Sequence, residues 1–252
     1  MTLPKRHTDR LTFLDEKHRA LDEFLQRLKG QSVWDRIAKV ILYGSVLRGD
    51  AGEESDIDVL LLSTGDLREV EEVASDVAFS VLLDLGHRVE PLVYCLEDFS
   101  SSRYFLSVVR QEGKEVYSMT EEKIARREAE DLLELAQTYL AMAKSLPAPE
   151  GLRGTIDLAY NAAELCVRAF LVLRLKELPR THSGLVQQFS QVLIKKEKTI
   201  KPDLGRSLNR AVVRRNKSRY DPHAVFTESD ARAVLQVADQ MTQALEAELE
   251  KE

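Results

Sequence analysis

The chain has 252 residues, with 36 Lys and Arg against 42 Asp and Glu, for a formal net charge of −6. Hydrophobic residues make up 44% and charged residues 31%, enough apolar material for a packed core without disulfides or metals, which excludes wholesale disorder. No apolar run approaches the roughly 20 residues that span a bilayer, and the charged start Met1-Thr2-Leu3-Pro4-Lys5-Arg6-His7 carries no signal-peptide pattern, so a cytoplasmic protein without a membrane partner is expected.

Residues 9–29 carry Leu11, Leu14, Leu21, Phe24, Leu25 and Leu28 mostly three, four and seven apart, with Gly30 just beyond, which predicts an amphipathic helix and its stop. Residues 37–43 and 57–62 are short apolar, β-branched runs on either side of the turn-like Gly49-Asp50-Ala51-Gly52. They read as strands buried on both faces, because neither alternates cleanly. A helix over 66–85 follows from Leu67, Val70, Val73, Ala74, Val77, Val81 and Leu82, closed by Gly86. Residues 88–95 read as a third strand, placed at an edge or made irregular by Pro91, which lacks a donor for the ladder. Residues 104–116 read as a short tail.

From about residue 121 strand signals vanish and helical patterns cover 121–145, 153–177, 183–194, 204–219 and 228–250, interrupted at 146–151 and by Pro179, Pro202 and Pro222. Thr227 with Asp230 three residues on is a capping box in outline. The expected architecture is an α/β (α+β) domain with a small mixed sheet over residues 1–120, then an all-α helical bundle over 121–252. Cys95 and Cys166 lie far apart outside any metal-ligand spacing and read as free thiols.

The chemistry concentrates where the first strand ends. Gly44-Ser45 is followed, ten residues after Ser45, by Asp56-Ile57-Asp58 at the start of the second strand. Two residues apart on a strand, both carboxylates face the same way. Such a pair repels itself unless a cation intervenes, and hard oxygen ligands suit Mg²⁺ (or Mn²⁺), which leaves coordination positions for water and substrate phosphates. Gly44 permits close backbone approach, Ser45 offers a hydroxyl and an N–H to phosphate oxygens, and Arg48 adds a charged contact. Glu90 on the third strand is the candidate third carboxylate, held extended by Pro91. Asp50, Glu53 and Glu54 read as solvated loop charges.

The run GSVLRGDAGEESDID resembles the signature of the DNA polymerase β-type nucleotidyltransferases, the minimal nucleotidyltransferases above all, with Gly44, Ser45, Asp56 and Asp58 on the motif positions. The resemblance covers roughly residues 9–118. It implies that Asp56, Asp58 and Glu90 bind divalent metal and carry catalysis, with Gly44, Ser45 and Arg48 on the nucleotide. A nucleoside monophosphate then passes from an NTP, with ATP the expected one, to an acceptor hydroxyl on a small molecule, a protein or RNA.

Residues 121–250 resemble a HEPN domain, through Arg180-Thr181-His182-Ser183-Gly184-Leu185 opening one helix and Arg215-Asn216-Lys217-Ser218-Arg219-Tyr220-Asp221-Pro222 ending another. That resemblance implies a site at Arg215, Tyr220 and His223. Ribonuclease members leave four to six residues between Arg and His, whereas Arg215 and His223 leave seven. Independently of it, Leu204, Leu208, Ala211 and Arg215 share one helix face, so Arg215 ends an apolar stripe and needs a partner. Arg206, Arg210, Arg214 and Lys217 form a basic stripe suited to RNA or to an acidic protein surface. The helical half either covers the nucleotide cleft or forms a homodimer through an apolar face. Two further readings stay open: a fused toxin–antitoxin-like module whose helical half binds or cuts RNA, and a non-catalytic nucleotide-binding regulator.

Overall fold

A computed structural model describes residues 6–175, 177–179 and 181–251, the side chains of 6–12, 182 and 183 excepted. It divides into two compact units, Met1–Ile124 and Ala125–Glu252.

In the first unit helix α1 (Arg6–Lys29) leads, through a 3-10 turn, to β1 (Ile37–Tyr43), the short helix α2 (Gly44–Arg48), β2 (Ile57–Ser63), α3 (Leu67–Leu85), β3 (Val89–Cys95), α4 (Tyr104–Glu112) and β4 (Lys114–Ser118). The four strands form one mixed sheet in the order β3-β2-β1-β4, antiparallel except for the parallel pair β2–β3. β3 is an edge strand, as Pro91 requires. Residues 104–116 are no loose tail: they form α4 and most of β4, which covers the other edge. β4 is short, and Lys114 and Glu115 lie exposed on it, so it carries no apolar run to betray a strand.

The sheet is buried on both faces. On one, Val40, Leu42, Val59, Leu61, Val89 and Val93 pack under Leu21, Phe24 and Leu28 of α1 and Val70, Ala74 and Val81 of α3. On the other, Ile41, Leu60 and Leu62 pack under Leu106 and Val109 of α4. Gly86, in the left-handed region at φ 73°, ends α3 as its position in the sequence suggests.

The second unit is helical. α5 (Glu121–Ser145) enters it; α6 (Leu152–Val172), α7 (His182–Phe189), α8 (Pro202–Tyr220) and α9 (Glu228–Leu249) complete it. α6 supplies its centre, with Ile156, Tyr160, Ala163, Val167 and Phe170 buried against Leu140, Leu208, Val234, Met241 and Leu245. α6 stops at Val172, short of the predicted 177, and α7 passes at Ser190 into a π-helical turn rather than running on as α-helix. Arg180 of the motif before α7 lies outside the described residues. Both halves of the Thr227–Asp230 capping box are formed. No described helix is long and apolar enough to cross a membrane.

Candidate active site

The ladder itself gathers the acidic residues. Asp58, the second residue of β2, lies between Tyr43 of β1 and Glu90 of β3, its register partners on either side. Directly opposed residues share a sheet face, so the three side chains make one row at the sheet's end. Asp56 lies two residues earlier, just ahead of β2.

Gly44 follows Tyr43 and takes φ 76°, a conformation L side chains rarely adopt. A Cβ there would collide with the Asp58 carboxylate. The glycine thus serves two ends: it turns the chain from β1 into α2, and it leaves room for the acid. Gly49, at φ 72°, ends α2 after one turn. Ser45 and Arg48 stand on that turn; Arg48 is exposed and reaches Asp50 at 3.4 Å.

Burial, then the charges of Glu90 and Asp56, push the Asp58 carboxyl above the ordinary carboxylate range, with Arg48 pulling the other way. Burial and the same carboxylates, Asp58 and Glu90, drive the Tyr43 hydroxyl up to about 12. Both shifts come first from burial and second from the neighbouring carboxylate charges. Beside this row lies a small cavity of about 90 Å³, lined by Tyr43, Gly44, Arg48 and Phe105 among others.

Two cations the motif does not contain stand at this site. Arg88, just ahead of β3, approaches Asp56 and Glu90 at 3.8 Å each. It sits two residues before Glu90, hence on the same strand face, and that spacing was a readable signal. Lys17 of α1 is 1% exposed and donates to the carbonyls of Glu53 (3.2 Å) and Ser55 (2.6 Å), immediately before Asp56. Its signal is subtler: Leu14, Lys17, Leu21, Phe24 and Leu28 follow one helical stripe, so Lys17 is a charge among core positions.

Among the described residues no group of three or more His, Cys, Asp or Glu side chains is already set to hold a metal ion. The Asp56–Asp58 pair nevertheless fits a divalent cation that takes one or two carboxylates and completes its shell with phosphate oxygens and water.

In the second unit Arg215 is 7% exposed, as its place on the α8 apolar stripe requires. Its partner is Asp157 of α6, 3.4 Å away, and its guanidinium lies 5.6 Å from the centre of the Tyr160 ring. Arg219 holds the same carboxylate through two contacts. Tyr220 and His223 are exposed, and the His223 N–H bonds to Asp221. Arg215 is thus turned into the bundle, whereas Tyr220 and His223 face solvent. Along the basic stripe Arg206 pairs with Asp203 and Arg214 with Asp230 at 3.1 Å, whereas Arg210 and Lys217 make no ion pair among the described residues.

These features can be set beside known proteins. A family model described as nucleotidyltransferase domain matches residues 19–134, and one described as HEPN domain matches residues 129–248. Two proteins of Methanocaldococcus jannaschii, each named "putative protein adenylyltransferase", are similar to part of this chain. One is 34% identical over 103 residues, which span 40% of this chain and 98% of that protein. The other is 34% identical over 92 residues, 34% of this chain and 62% of that protein.

Proposed function

We propose, from the premise that the chain belongs to the nucleotidyltransferase-domain family and carries a HEPN domain behind that domain, that it transfers AMP from ATP to a hydroxyl group on a protein. The observation that carries the site is the close fit of Gly44 around Asp58, which leaves the end of β1 free of a Cβ beside the row of carboxylates, where a phosphate can approach the backbone. The names of the two archaeal relatives support adenylyl transfer and a protein acceptor. We place the boundary between the domains at residue 120, and the protein in the cytoplasm.

Asp56 and Asp58 would hold Mg²⁺ or Mn²⁺. When bound, the cation supplies charge stabilisation for the triphosphate and the departing pyrophosphate. Ser45 and Arg48 bind and orient phosphate oxygens from the turn that Gly44 opens. Glu90, half exposed on an edge strand, orients the acceptor hydroxyl and takes its proton. The acceptor oxygen bonds to the α-phosphorus while the bond from that phosphorus to the bridging oxygen breaks, and pyrophosphate leaves with the electron pair. Arg88 shields Asp56 from Glu90 until substrate charge draws it to a phosphate.

A second reading, with RNA as a partner of the helical unit, is favoured by Arg210 and Lys217, which line a cavity of about 550 Å³ along α8 with Arg214 and Phe226. The engagement of Arg215 by Asp157 favours binding over cleavage by that unit.

ATP labelled at either the α- or the γ-phosphate, incubated with the chain, Mg²⁺ and a cell lysate, tests the primary reading. The expected result is α-label in the protein fraction that depends on the chain and is lost in Asp56→Asn. Chain-dependent label from the γ-phosphate alone, or α-label confined to RNA or small molecules, overturns it.

A further inference from the structure

Lys17 is the feature of the first unit that neither the family motif nor the proposed chemistry uses. Taking an ammonium out of water is costly unless its donors and charge are satisfied. Here the Nζ is met by two backbone carbonyls, those of Glu53 and Ser55, which belong to the loop between α2 and β2. That loop has little structure of its own: Ser55 and Gly52 close a small turn through Gly52 N–H to Ser55 Oγ (2.9 Å) and Ser55 N–H to the Gly52 carbonyl (3.3 Å). The next residue is Asp56. Burial pulls the Lys17 ammonium below its usual range; among neighbouring acids Asp56 opposes this most, followed by Glu16 and Glu53.

A salt bridge or an apolar side chain would fill this place in α1 more simply. Carbonyl oxygens on both sides of Glu54, tied to a helix locked in the core by Leu21, Phe24 and Leu28, fix the backbone that delivers Asp56 to the site. Of the site's carboxylates, Asp56 is the one that feels the positive charge. We infer that Lys17 is a positioning residue, which pins the loop ahead of Asp56 to α1 and so presets the Asp56–Asp58 pair for a divalent cation. This rests on the reading of those aspartates as the metal-binding pair.

The test uses the full chain, with Mn²⁺ affinity measured without nucleotide by electron paramagnetic resonance, and the Mg²⁺ requirement of transfer measured separately. Lys17→Met keeps the length of the buried stem and removes the ammonium. It is expected to weaken Mn²⁺ binding roughly ten- to a hundred-fold, the range for lost outer-shell support. The Mg²⁺ concentration for half-maximal transfer should rise in step, while kcat at saturating metal stays near wild type. Lys17→Gln, which retains N–H donors without the charge, should fall between, and it carries the test if Lys17→Met does not fold. Leu28→Ala, on the same α1 stripe but remote from the loop, should lose stability with Mn²⁺ affinity unchanged. Wild-type affinity in both Lys17 variants, or an equal loss in Leu28→Ala, overturns the role of Lys17. If Asp56→Asn binds Mn²⁺ as wild type does, the aspartate reading itself fails, and the inference with it.

Discussion

Gly44 allows the site geometry to be tested by arithmetic. Two other glycines of the first unit, Gly49 and Gly86, share its left-handed backbone, at φ 72° and 73° against 76°, but a Cβ at either meets nothing within 4 Å. Alanine at Gly49 or Gly86 therefore carries backbone strain alone, about 1 kcal/mol. At Gly44 the same strain is joined by collision with the Asp58 carboxylate, and forcing a packed group aside costs about 1–3 kcal/mol more, for a total of about 2–4 kcal/mol. The collision should vanish when the carboxylate does: in an Asp58→Ala background Gly44→Ala should again cost about 1 kcal/mol, and the double-mutant cycle should close on the difference. Trp34, the single tryptophan, packs on Tyr117 with ring centroids 4.3 Å apart and reports the unfolding of this unit in guanidinium. Equal costs for Gly44→Ala and Gly49→Ala, or no coupling to Asp58, would refute the close fit.

The remaining predictions concern charge. Without divalent metal, Asp58 should oppose folding: its carboxyl titrates above the ordinary value of 3.8, so stability falls as pH rises from there through the raised value, and the whole penalty is present above it. Subtracting the stability profile of Asp58→Asn from that of the wild type should isolate this slope, and a difference that grows in the opposite sense contradicts it. In the helical unit Asp157→Ala strands the buried Arg215 and should cost roughly 3 kcal/mol, while adding Arg215→Met should recover much of the loss; thermal unfolding followed by helical circular dichroism decides, and an additive double mutant counts against the pair. Arg153 donates to the carbonyls of Ser218, Asp221, Pro222 and Ala224 at the end of α8, so Arg153→Ala should cost about 2 kcal/mol and speed amide exchange over residues 218–226 ahead of the rest of the unit.

What could be read in the sequence was what periodicity and glycine placement encode. The α1 and α3 stripes, the doubly buried β1 and β2, the edge position of Pro91 and the inward turn of Arg215 all follow from spacing, because each places apolar or donor-less groups where one environment suits them. β4 escaped because a short, exposed edge strand needs few apolar residues; its pairing with β1 is a non-local event that no local pattern announces. Arg88 and Lys17 escaped for a different reason. Their roles come from what they face across the fold, a pair of acids in one case and two loop carbonyls in the other, and each leaves only a faint trace, Arg88 as a charge two residues before Glu90 and Lys17 as a charge on an apolar stripe. The row Tyr43–Asp58–Glu90 shows both sides: Asp58 stands out in the motif, whereas its register against Glu90 is set by the parallel pairing of β2 and β3.

The central claim is that the Asp56–Asp58 pair beside Gly44 drives transfer of a nucleoside monophosphate. Pyrophosphate release from ATP, measured with an acceptor-containing lysate fraction across a Mg²⁺ titration for wild type, Asp56→Asn and Asp58→Asn, addresses it most directly. The expected result is Mg²⁺-dependent release by the wild type in step with α-label incorporation, and a fall of at least about a hundred-fold in each variant, on the scale of losing a main electrostatic contributor. Release that persists in both variants, or that needs no divalent ion, would contradict it.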